Sequence, residues 1–164
     1  MKITKRQLKR IIREEYMSLN RKGLIKEANS AENATSDLEG VQSQYGAEMW
    51  FEARPAGQTV AAAQRLTPEL QGLEYLGEAM DREGYAAWVF WDGSNYQIAS
   101  GLGGSWDLYV CKDAVEAYLC IQMCSYNEPR LHPDALAFVG LKDKFDAYHW
   151  QDTLITKKFN LRTF

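Results

Sequence analysis

Long apolar runs are missing from this sequence. The longest, Tyr85-Ala-Ala-Trp-Val-Phe-Trp91, falls far short of the ~20 residues that a membrane-spanning helix needs. No apolar segment follows the basic N-terminus, so no secretory signal is expected. Cysteine is scarce and odd in number, at three, which excludes a complete disulfide framework. It points instead to buried thiols in a reducing compartment. Histidine is scarcer still, at two, and internal repeats are lacking. Structural zinc sites usually take four closely spaced ligands. Cys120 and Cys124, four apart on one predicted helix with His132 further on, supply three at most. Core packing is the preferred reading of these cysteines, and neither metal nor cofactor is expected.

What is present is enough for a core: 46% hydrophobic and 12% aromatic residues in a chain of 164. The net charge of −3 hides an asymmetry. Residues 1–27 hold nine Lys/Arg against three Glu, a charge of +6, and residues 28–164 hold ten against nineteen, a charge of −9. Such a split bears on partners rather than on fold. The acidic body argues against binding nucleic acid, even though Trp88, Trp91, Tyr96, Trp106 and Tyr109 are dense in rings. Those rings read mainly as core.

A helix is predicted over 4–22. Thr4 and Gln7 form a capping box, with Ile3 and Leu8 as a hydrophobic staple. Leu8, Ile11, Ile12, Tyr16 and Leu19 make an apolar stripe, and Lys5, Arg6, Lys9, Arg10 and Arg13 cover much of the rest. Cations in the first turns oppose the helix dipole, so they are expected to serve a partner. Residues 28–46, with almost nothing large and apolar, read as a flexible linker. The division is therefore a leader helix (1–27), a linker (28–46) and an acidic domain (47–164), and removing 1–46 should leave the domain folded.

In that domain, Thr67-Pro68 with Leu70, Leu73, Leu76 and Met80 predicts a helix over 67–83. Residues 85–99 read as a hairpin about the Asp92-Gly-Ser-Asn turn, and 106–111 as a further strand. Helices are predicted over 113–124 and 143–153, with 135–141 leaning towards strand. The fold class is α+β, a small antiparallel sheet with helices on one face. Two motifs carry weak chemistry. Gly101-Leu-Gly-Gly-Ser105 precedes a strand rather than a helix, which speaks against a phosphate cradle. His149, near Asp146 and Asp152, is the one candidate catalytic base, with no nucleophile placed beside it by the sequence.

The run Met1-Lys-Ile-Thr-Lys-Arg-Gln-Leu-Lys-Arg-Ile-Ile-Arg-Glu-Glu15 resembles leaders of marine tailed-phage proteins. Its placement is similar to the capsid-targeting leaders of myovirus internal head proteins. That resemblance implies docking on a scaffold or capsid protein, then removal by a prohead protease that prefers Leu or Ile, any residue, and Glu. Ile25-Lys26-Glu27 before Ala28 fits the pattern, as does Ile12-Arg13-Glu14 within the helix. The implied role is a binding protein of the virion or prohead interior, acting in the host cytoplasm or inside the head. The alternatives are an acidic phage effector that inhibits a host or defence protein, and a small enzyme.

Overall fold

The computed structural model of the protein describes residues 2–21, 30–125 and 129–161, with the backbone alone for 18–21. The chain runs α1 (Lys5–Arg21), α2 (Ala31–Tyr45), β1 (Trp50–Ala53), α3 (Gln58–Leu66), a 3-10 turn (Pro68–Leu70), β2 (Glu74–Met80), β3 (Ala86–Trp91), β4 (Tyr96–Leu102) and β5 (Ser105–Cys111). It continues through α4 (Ala114–Met123), α5 (Pro133–Phe138), α6 (Lys144–Thr153) and β6 (Ile155–Asn160). The six strands form one antiparallel sheet in sequence order, an α+β fold.

The expected hairpin is β3–β4, with Trp91 opposite Tyr96. Asp92 closes its turn, accepting from the Ser94 and Asn95 amides at 2.8 and 2.7 Å. Gly101-Leu-Gly-Gly-Ser105 closes the next hairpin, with Leu102 paired to Ser105 across it, so no helix N-terminus follows that loop. Asp113 and Asp143 cap α4 and α6 as their positions predict.

Side chains alternate across the strands, and both faces are covered. Val89, Trp91, Tyr96, Ile98, Tyr109 and Cys111 pack in the larger cluster with α2, α4 and α5. Trp88, Phe90, Ala99, Leu108 and Phe159 pack with Val60 and Ala63 of α3 and with Leu70. This corrects the expectation of helices on one face only. It also explains why β3 reads as an unbroken apolar run: both of its faces are buried.

Three further expectations are overturned. Residues 31–45 are a helix, not linker: Ser30 caps it by accepting from the Asn33 amide at 3.1 Å, and Ala34, Leu38 and Val41 are buried at helical spacing. The predicted helix over 67–83 is instead the 3-10 turn followed by β2. Thr67 makes no side-chain cap, Gly72 turns the chain at φ 80°, and Leu76 and Ala79 serve a strand. A bulge between Tyr75 and Gly77 resets the β2 register. There β1 passes so close that a Cβ on Gly77 would meet the Glu52 carbonyl. Residues 133–138 are helix rather than strand, since His132 accepts from the Asp134 amide and Pro133 occupies the first turn. Strand β6 completes the sheet over residues for which no element is expected, and its Lys157 and Lys158 are exposed on the edge.

Candidate functional site

The α1 capping box forms as written: the Thr4 amide donates to Gln7 Oε1 at 2.9 Å, and the Gln7 amide to Thr4 Oγ1 at 3.1 Å. The rest of α1 departs from the usual amphipathic arrangement, in which the apolar stripe faces the core. Leu8, Ile11 and Ile12 are 49%, 47% and 59% exposed, while Met17, on the other side, is 4% exposed. Helical geometry at 100° per residue places Arg6, Arg10, Arg13 and Met17 on one face. That face is the one turned to the body.

Its contacts are specific. Arg13 Nη1 donates to the Asp37 carbonyl of α2 at 3.1 Å. Arg10 Nη1 lies 3.5 Å from Asp134 Oδ2 of α5, both side chains about half exposed. The Arg13 guanidinium fills the space where a Cβ on Gly40 would stand. A glycine inside a helix costs about 1 kcal/mol relative to alanine. Here its bareness admits Arg13. Tyr45 lies at the end of the same groove, its ring 4.9 Å from that of His132. Burial first, then Glu14 and Asp134, push its hydroxyl up to about 12, with Arg10 acting in the other direction. A cleft of about 800 Å³ remains between α1 and the body, lined by Arg6, Arg10, Tyr16, Gln44, Tyr45 and His132 among others.

The docking is weak in energy. Burying Met17 is worth about 1.5–3 kcal/mol at most, and an exposed ion pair adds ~0–1 kcal/mol. Lys5, Arg6 and Lys9 are exposed, without an ion pair among the described residues. Tyr16 is half-buried and packs against the larger core cluster. The Leu19 side chain and the processing residues Ile25, Glu27 and Ala28 lie outside the described residues.

Elsewhere, the structure separates the remaining candidates. Cys120 and Cys124 lie in the core with Cys111, which the spacing argument had not joined to them. Cys124 Sγ donates to the Cys120 carbonyl at 3.2 Å, and Gln151 Nε2 reaches the same carbonyl at 3.1 Å. Burial raises the Cys111 and Cys120 thiols; for Cys124 the hydrogen bond with Cys120 leads and burial follows. His132 does not join these thiols: it caps α5, and its ring lies tilted against that of Tyr45. No group of three or more His, Cys, Asp or Glu among the described residues is placed to hold a metal ion. His149 is exposed on α6, and Asp146 spends its carboxylate on the Lys142 amide at 3.0 Å. Trp88, Trp91, Tyr96 and Tyr109 are core, while Trp106, partly buried, stacks on Phe159 and lies tilted against Trp88.

Gly40, Asp37, Asp134 and Met17 are the site residues that sequence reasoning missed. Asp37 and Gly40 lie in the segment read as linker and Asp134 just before the one read as strand, so nothing in one dimension paired them with Arg13 or Arg10. No protein-family model matches the chain, and neither a curated protein nor a solved structure matches it.

Proposed function

We propose that the protein works by binding, with α1 as an address helix and the α+β body as its folded cargo. The observation that supports this most is the inversion of α1: Arg10 and Arg13 contact the protein's own body, while Leu8, Ile11 and Ile12 of the apolar stripe face outward. A 17-residue helix with dipole-opposing charge is marginal in isolation. Held by Arg13 and Met17, it presents Leu8, Ile11 and Ile12 ready-formed, which lowers the ordering cost of association. The fitting partner is an amphipathic helix with its own i, i+3, i+4 apolar face.

The resemblance of the leader to capsid-targeting segments supplies the class of that partner, a scaffold or capsid protein of a tailed phage. Cleavage after Glu27 by a protease acting in trans would complete delivery. It removes +6 and leaves −9 on the remaining chain, weakening attraction to packaged nucleic acid. The test is intact-mass analysis of purified mature particles. A chain starting at Ala28 is expected there. Recovery of the uncut chain from those particles would overturn processing. Absence from particles, with the protein present in infected-cell extract, would overturn the virion reading altogether.

A further inference from the structure

We propose that the face of α2 and α5 beneath α1 is a receptor surface for that helix, able to take α1 from a second copy of the chain. This rests on the intramolecular contact alone and stands whether or not a scaffold is the partner of the apolar stripe.

The occupant is visible in place. The receptor side consists of Gly40, the Asp37 carbonyl and the Asp134 carboxylate; the helix side consists of Arg13, Arg10 and Met17. The fit selects arginine. A guanidinium lies flat over the bare Cα of Gly40 while donating to a helix carbonyl, an arrangement for its planar fork that a lysine ammonium does not reproduce. Charge is complementary over a wider range, because residues 1–27 carry +6 and the remainder −9. The joint is also not sealed: roughly 800 Å³ of open cleft runs between helix and body. A contact that is specific in chemistry but incompletely packed can release its occupant. Within one chain the tether supplies an effective concentration of about millimolar, so the helix of the same copy occupies the surface in dilute solution. Where copies crowd, or where a chain's own α1 cannot dock, the α1 of a neighbour meets the same residues.

Complementation between two full-length variants tests this. R10E/R13E spoils the helix and keeps the receptor; Gly40→Leu blocks the receptor and keeps the helix. Far-UV circular dichroism checks that both remain folded, and Gly40→Gln replaces Gly40→Leu if leucine disturbs α2. Each variant alone is expected to sediment as a monomer at ~1 mM, the dissociation constant to which a contact of about 4 kcal/mol corresponds. An equimolar mixture is expected to give a one-to-one complex of twice the monomer mass. Adding R13E to the Gly40→Leu chain should abolish that complex. Monomers only in the mixture would overturn the proposal, as would the same complex formed by either variant alone, since another surface would then be responsible.

Discussion

Burial changes what the protein's thiols and phenols do with their protons. Cys111 and Cys120 lie wholly inside, and burial raises both above the ordinary 9.0. Tyr45, Tyr75 and Tyr118 are pushed up to about 12 from 10.0, in each case chiefly by burial. Tyr96, deeper still, donates its hydroxyl to the Ala34 carbonyl at 2.6 Å and is raised well above 10.0. Thiolate is the reactive form of cysteine, so the folded chain should resist thiol reagents at Cys111 and Cys120. The same shifts have a thermodynamic sign. Above about pH 9 the unfolded chain loses protons that the folded chain keeps, so stability falls as pH rises. The contribution is fully present below the unfolded values and is lost as pH climbs towards the folded ones. Urea midpoints taken at pH ~7.5 and ~10.5 should therefore fall at the higher pH. A midpoint that holds or rises across that window would show that these groups are not buried as described.

At the scale of elements, the least expected feature is how the edge strand β1 is closed. Gln42 of α2 donates to the Phe51 carbonyl at 2.9 Å and accepts from the Phe51 amide at 2.6 Å. Gln122 of α4 does the same for Met49, at 2.9 Å to its carbonyl and 3.1 Å from its amide. Two side-chain amides thus take the place of a seventh strand and deny the edge to another chain. The opposite edge, β6, relies on exposed Lys157 and Lys158. Gln42→Ala should leave both Phe51 backbone groups buried and unpaired, at about 1–3 kcal/mol each. A loss of about 2–4 kcal/mol in urea unfolding is expected; a change below ~0.5 kcal/mol, the range of an ordinary surface substitution, would refute the edge lock. Gln42 also shows where the sequence stopped being legible. Strong local signals came through: the Thr4–Gln7 box, the Asp92 turn, and the helix starts at Asp113 and Asp143. Helix α2 did not, because its three buried apolar residues sit among small polar ones, and its hold on the sheet is a long-range amide pair. Leu70, Leu73, Leu76 and Met80 misled in the other direction, since their helical spacing is shared between a 3-10 turn and a strand. The site failed for the same reason: the stripe of α1 was visible, but which face docks depended on Gly40, fixed only by the tertiary fold.

For the whole molecule, the boundary between the proposed address and its proposed cargo depends on which helix the core can lose. From α1 the core takes Met17, with Tyr16 at its margin. From α2 it takes Leu38 and Val41, 1% and 0% exposed, together with the Gln42 lock and the carbonyl that receives Tyr96. Each fully buried Leu or Val is worth about 1.5–3 kcal/mol, against a total stability of ~5–15 kcal/mol for a domain. In place of an independent unit at 47–164, this packing predicts a folding unit that begins at Ser30, the cap of α2. Two truncations separate these boundaries. Residues 30–164 should unfold cooperatively, with a midpoint lowered by no more than ~12 °C, since Met17 carries at most about 3 kcal/mol and each kcal/mol shifts a domain of this size by ~2–4 °C. Residues 47–164 should show no cooperative transition, because the sheet loses the α2 part of its cover on one face and β1 loses an amide partner. Failure of the longer piece to fold would make α1 integral to the domain and leave no detachable address. A cooperative transition in the shorter piece would make α2 peripheral. Cleavage after Glu27, if it occurs, falls just upstream of Ser30 and so removes the helix the core can lose while sparing the one it cannot.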